Sequence, residues 1–340
     1  RPEMYYAQTR KYTGELGIIK RVESEPAKYT HEDEQFYKVH FETTATYETT
    51  VAKEHRLSAL LYYYMSSEQR MNKDIDAKAE TLRSMYAIPI RYQGLSGRIT
   101  YGFRDTYFMD VNFGYTGSEN FQSGHRFGFF PSVAVGWIPT QYEFMQRGLP
   151  WLNFLKIRAS YGTVGNDRLT DERFPYLTLM VDGDGGGWGS SSGYITEERV
   201  GANNLRWEKA KKADLGIEGR LFNEKLQFVV DFFQDKRDGI YQRRSQIPSY
   251  VGLTQMPFGN VGKMKSYGSD GNISFTQDFG KDMTLTLRGN FTYSANKVEN
   301  WEQAFQPYDY QNYTGYVNNA FRGYIALGLF RDEQDVAQSP

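Results

Sequence analysis

Tyr107–Thr116 reads YFMDVNFGYT. Tyr107, Met109, Val111, Phe113 and Tyr115 take alternate positions, while Asp110, Asn112, Gly114 and Thr116 fill most of the positions between them. Successive side chains of a strand point to opposite faces, so this segment has an oily side and a wet side. Leu285–Asn296, LTLRGNFTYSAN, repeats the scheme, with Leu287, Phe291 and Tyr293 opposite Thr286, Arg288, Asn290 and Thr292. A soluble sheet could be written this way as well. The decision comes from how such segments are joined.

Working outward, extended segments are expected at about Phe36–Thr50, Leu57–Ser66, Leu95–Arg104, Tyr107–Thr116, Phe127–Ile138, Asn153–Val164, Trp207–Phe222, Lys225–Asp235, Ser266–Phe279 and Met283–Lys297. Short joints (Ala52–His55, Asp105, Asn223–Glu224, Gly280–Asp282) alternate with long ones. The long connections end near Tyr92, span Gly117–Arg126, run from Gly165 to about Leu205 and from Gly239 to Met264, and close with the aromatic stretch Asn300–Arg322. Pro139–Leu152 is a joint of medium length, and Gly323–Arg331 is expected to begin one more strand. That makes about ten strands and part of another, with tight turns on one rim and large loops on the other, the pattern of an antiparallel transmembrane β-barrel. A strand of about 13 residues reaches about 43 Å, or about 33 Å along the membrane normal at a tilt of ~40°, enough to cross an apolar band of ~25 Å. Tyr107, Tyr115, Phe127, Trp137, Tyr161 and Tyr293 fall near strand ends, where interfacial aromatics belong.

Composition agrees. The 340 residues include 27 Tyr and 23 Phe but only 5 Trp, with a mean hydropathy of −0.65. Aromatic richness with overall polarity suits a barrel in which only alternate residues meet lipid. The net charge of −1 exerts no global pull on nucleic acid, and the absence of cysteine excludes disulfides and thiolate metal sites. No apolar run approaches the roughly 18 residues of a membrane-spanning helix.

No catalytic constellation emerges. His31, His40, His55 and His125 lack metal-ligand or triad spacing. Gly183–Gly189 has no phosphate-loop spacing, and Asp182 with Asp184 lacks the ligand series of a calcium loop, so a flexible loop is expected there. Neither an enzymatic activity nor a cofactor is implied. On the wet faces, Asp110, Arg158, Glu218, Arg220, Asp231 and Arg288 are expected to line a lumen, because a basic residue at the lipid midplane costs about 2–4 kcal/mol. They would line a substrate path, hold a plug through ion pairs, or simply solvate the interior. The loop aromatics Trp188, Tyr194, Trp301, Phe305, Tyr308, Tyr310, Tyr313 and Tyr316 are candidates for ligand or partner contact, with self-packing of the loop as the alternative.

Several segments resemble the barrel of SusC/RagA-type TonB-dependent transporters, the outer-membrane nutrient importers of the Bacteroidetes. They are FGFFPSVAVGWI (Phe127–Ile138), LKIRASYGTVGND (Leu155–Asp167), NNLRWEKAKKADLGIEGRLFNEKLQFVVDFFQDKRDGIY (Asn203–Tyr241), GNVGKMKSYGSDGNISF (Gly259–Phe275) and GLFRDEQDV (Gly328–Val336). The resemblance covers most of Leu95–Pro340 and is loose before Tyr92. It implies a barrel of roughly 22 strands with an N-terminal plug, of which this chain would be a central piece: residues 1–35 a loop region and 36–340 a partial barrel. It also implies a bacterial outer-membrane location, a SusD-like surface lipoprotein as lid, TonB as energy source, and glycan or peptide fragments as substrate, with no nucleic-acid partner. A passive porin or a soluble carbohydrate-binding β-protein are the alternatives left by the residues themselves. An isolated half-barrel would expose two unpaired edges and an oily face, so the segment by itself is expected to be insoluble without its neighbours.

Overall fold

In a computed structural model of the chain, residues 5–9, 16–20, 34–72, 88–168, 174–183, 194–253, 255–280, 282–323, 325–326 and 328–338 are described. Ten strands form one antiparallel sheet: β3 (Glu34–Val51), β4 (His55–Asn72), β5 (Ile90–Phe103), β6 (Tyr107–Ser118), β7 (Phe127–Trp137), β8 (Leu152–Asn166), β11 (Glu208–Leu221), β12 (Leu226–Arg243), β13 (Phe258–Phe279) and β14 (Met283–Asn300). They follow one another in chain order, each hydrogen-bonded to the next. Two hairpins stand apart: β1 (Tyr5–Thr9) with β2 (Leu16–Lys20), and β9 (Leu179–Gly183) with β10 (Tyr194–Arg199). The first lies in the stretch expected to be loop, and the second lies within the long connection after β8.

The tight turns share one rim, as the spacing required. Ala52 and Lys53 join β3 to β4 with φ of 51° and 60°, and Arg104 and Asp105 join β5 to β6 at 50° and 51°. Phe222, Asn223 and Glu224 all have positive φ between β11 and β12, and Gly280 (φ 72°) turns β13 into β14. In these three- and four-residue connections, consecutive positive-φ residues match the turn to the strand twist, even at a cost to residues bearing a Cβ. Ion pairs lock neighbouring turns. Arg104 donates to Glu54 at 2.9 Å, which pushes the guanidinium above its ordinary value, and Arg56 pairs with Asp105.

Paired residues share a face, so register shows how the sheet is sided. One row runs Thr49, Leu57, Tyr101, Met109, Val135, Ala159, Leu215, Phe232, Ser269, Tyr293 across all ten strands. The next row on the opposite face includes Arg56, Gly102, Phe108, Gly136, Arg158, Gly216, Asp231, Asp270 and Thr292. No second layer covers the apolar face among the described residues: Phe41, Ile99, Val135 and Leu287 are each half or more exposed. A soluble sandwich would bury that face against another sheet. Here lipid must cover it.

Register also measures the tilt. Leu57 lies two residues beyond the start of β4, while Tyr293, in the same row, lies ten beyond the start of β14. Both strands start at the turn rim, so the row climbs by about 27 Å while crossing about 38 Å of sheet, a strand tilt of about 35°. That is the tilt that closing a sheet into a barrel requires. The ten strands are an open portion of such a barrel.

Several boundaries differ from expectation. β12 continues to Arg243 and β13 begins at Phe258, so the loop expected from Gly239 to Met264 shrinks to residues 244–257. β4 likewise runs on to Asn72, and β5 begins at Ile90. Backbone pairing outlasts the apolar alternation because ladder hydrogen bonds do not depend on which side chains face lipid. The strand expected at Gly323–Arg331 is absent among the described residues there, which are followed by the short helix Glu333–Gln338. That stretch has apolar residues at both parities (Ile325 and Leu329; Ala326 and Phe330) and so has no wet face.

Candidate functional site

On the polar face one ion pair reaches over a glycine. Arg158 on β8 and Asp231 on β12 both pair with Gly216 of the strand between them. Arg158 Nη2 donates to both carboxylate oxygens of Asp231, at 2.7 and 2.6 Å. A Cβ on Gly216 would fall on that carboxylate and guanidinium, so the contact exists because residue 216 has no side chain. Asp231 stands directly opposite Asp270, a like-charge pairing that destabilises a sheet unless a cation intervenes, and Arg158 supplies it.

All six expected lumen residues lie on this face. Asp110 takes the guanidinium of Arg98 and the amide of Asn112, the latter at 2.7 Å. Glu218 lies 3.8 Å from Arg220, whose guanidinium also meets Glu224 and sits 5.1 Å above the Phe154 ring. Arg288 pairs across the ladder with Ser274. The six therefore form separate local groups, of which only Arg158 with Asp231 and Glu218 with Arg220 come together. A concavity of about 870 Å³ opens toward the turn rim, bordered by Arg56, Arg98, Asp110, Lys156 and Arg158.

At the opposite rim a small core holds the loops. Phe121, Leu205 and Trp207 are buried together with Ala202 and Tyr241, and Phe130 and Phe258 pack on them. The Trp207 indole donates to the Arg126 carbonyl at 2.9 Å. Asn260 bonds the Arg206 backbone in both directions and donates to the Gly239 carbonyl, joining β13 to the approach of β11 and to β12 itself. The Glu302 side chain is only 7 % exposed. It accepts from Arg244 at 2.6 Å and from the Ser245 and Gln246 amides at 3.1 Å, so one carboxylate pins residues 244–246 to the segment after β14.

Of the loop aromatics, Trp188 lies outside the described residues, as does the side chain of Tyr194, which falls in β10. The rest form one ordered loop. Trp301 and Tyr313 rings stand 6.2 Å apart, and Tyr308 stacks on Tyr310 at 5.5 Å. Arg322 lies over Tyr313 and Tyr316 and donates to the Gln311 and Asn312 carbonyls. The loop thus packs on itself while leaving Phe305 91 % exposed and Tyr308 and Tyr310 on the surface.

Gly216, Asn260 and Glu302 are not among the residues that local pattern singles out. Trp207 and Asn260 stand in stretches that carried the family resemblance, which was the available signal for a shared structural role. Nothing local marks Glu302, whose partners lie 56–58 residues away.

Comparison with known proteins gives a consistent result. Residues 5–330 match the family model described as TonB dependent receptor-like, beta-barrel. The chain is 27% identical over 267 residues to TonB-dependent receptor P39 of Formosa agariphila, covering 78% of this chain and 24% of that protein. It is 27% identical over 205 residues to TonB-dependent receptor SusC of Bacteroides thetaiotaomicron, covering 59% of this chain and 20% of that protein. The chain therefore spans about a quarter or less of the length of these relatives. Among solved structures, the RagAB peptide importer in its closed-closed state superposes with a TM-score of 0.66 at 21% identity, covering 84% of this chain and 33% of that one. That likeness shows a shared fold.

Proposed function

Since the chain belongs to the TonB dependent receptor-like β-barrel family and is part of an outer-membrane barrel, we propose that the whole receptor imports nutrient fragments, glycan or peptide, across the outer membrane. The observation that carries this reading is the sidedness of the sheet: an uncovered apolar face behind a face of ion pairs and concavities. Residues 36–340 belong to the partial barrel, and residues 1–35 to the region that leads into it. Asp110, Arg158, Glu218, Arg220, Asp231 and Arg288 line the interior, where they meet substrate or a plug. A SusD-like surface lipoprotein docks over the loops, with Phe305, Tyr308 and Tyr310 as its contact or as a ligand platform. TonB supplies the energy through a part of the protein outside this segment. No covalent step belongs to this mechanism.

The test is uptake of labelled oligosaccharides and oligopeptides by cells with and without the receptor, before and after collapse of the proton gradient. Receptor-dependent uptake that stops on uncoupling is expected. Uptake that survives uncoupling would make the barrel a passive porin, and uptake unaffected by deletion would remove the import reading.

A further inference from the structure

A pocket of about 380 Å³ opens near the loop rim where the ladder between β7 and β8 gives out. The two strands are paired only from Ser132–Gly162 to Trp137–Ile157. Beyond that point the Phe130 ring fills the parting, in space that a Cβ on Gly128 or Gly165 would need. The Tyr64 ring lies across Gly94 in the same manner. Together with Tyr92 and Trp207 these rings make the walls aromatic, and Thr116 and Thr163 add hydroxyls.

One carboxylate enters this enclosure. Asp167 lines the pocket beside Tyr92, and Asn120 Nδ2 donates to the Asp167 main-chain carbonyl at 3.2 Å. One of its carboxylate oxygens, Oδ2, is buried and has no hydrogen-bond partner. A buried acceptor without a donor is costly, and most strongly so when it is charged. Aromatic faces attract cations, and a carboxylate bonds most strongly to a charged donor.

We propose that this pocket is a subsite for a primary ammonium or guanidinium group carried by the imported fragment. The proposal rests on the import reading and narrows it to basic ligands, hence to peptides over neutral glycans. The cationic nitrogen pairs with the Asp167 carboxylate and sits against the rings of Tyr64 and Tyr92.

The test uses the full-length receptor, purified in detergent and titrated calorimetrically with trilysine, fully acetylated trilysine and maltotriose. Trilysine is expected to bind at least about tenfold more tightly than its acetylated form. Asp167→Asn should weaken trilysine about 10- to 100-fold and leave the acetylated peptide unchanged, while Asp167→Glu keeps part of the preference. Heat-shifted gel mobility, equal for all variants, verifies folding. Trilysine affinity indifferent to Asp167→Asn, or maltotriose binding more tightly than trilysine, overturns the subsite. Energy-dependent uptake by wild-type cells would stand in either case, whereas its absence removes the import reading itself.

Discussion

Val133 and Ala134 are neighbours on β7 yet face opposite worlds, which permits a sharp test of the fold. Val133 pairs with Val111 and Tyr161 on the apolar face, and Ala134 with Asp110 and Ser160 on the polar one. Val133 stands four residues from Phe129 and four from Trp137, both on its own face. Four residues are about 14 Å along a strand, or about 11 Å along the membrane normal at a tilt of about 35°. Val133 therefore sits near the middle of a band about 22 Å high. Arginine at that depth costs about 2–4 kcal/mol, against about 0–1 kcal/mol near the interfaces. Val133→Arg should accordingly lower the folding equilibrium of the whole receptor by about 30- to 900-fold. Ala134→Arg places the same charge beside Asp110, where it should cost little. The assay is urea titration of receptor refolded into short-chain lipid vesicles, followed by heat-shifted gel mobility, with outer-membrane abundance in cells as a second readout. Equal losses for the two variants, or a larger loss for Ala134→Arg, would refute the assignment of faces.

Other perturbations probe individual devices. Gly216→Val should separate Arg158 from Asp231 and cost about 1 kcal/mol, since the arginine is half exposed, and the loss should largely vanish when both partners are already alanine; double-mutant analysis of urea midpoints measures it. Glu302→Ala strands the Arg244 guanidinium and two amides, a local cost of about 3 kcal/mol or more, and should render residues 244–257 cleavable by protease added to intact cells while the barrel stays folded. Lys53→Gly relieves a positive-φ residue and should raise the urea midpoint of the receptor by an amount worth about 1 kcal/mol; an unchanged or lower midpoint would contradict the turn geometry.

Much of this protein is legible in its sequence, for a reason visible in YFMDVNFGYT. A lipid-facing strand must alternate at a period of two, and that period is local, so each strand's two faces can be read without knowledge of its neighbours. Turn length is local too, and the strict alternation of short and long connections was enough to assign the rims. The assignment of Asp110, Arg158, Asp231 and the others to one polar face followed from the same parity. Alternation stops at the edge of the lipid band, however, whereas backbone pairing continues. That is why β12 and β13 extend far past their readable ends and the hairpin at Tyr5–Lys20 leaves no comparable signal. Tilt, and every contact between distant strands, depends on register, a property of pairs of strands. Only the tertiary structure could bring Arg158 to Asp231, 73 residues away, across the bare backbone of Gly216, or leave Asp167 with one oxygen unclaimed among aromatic rings.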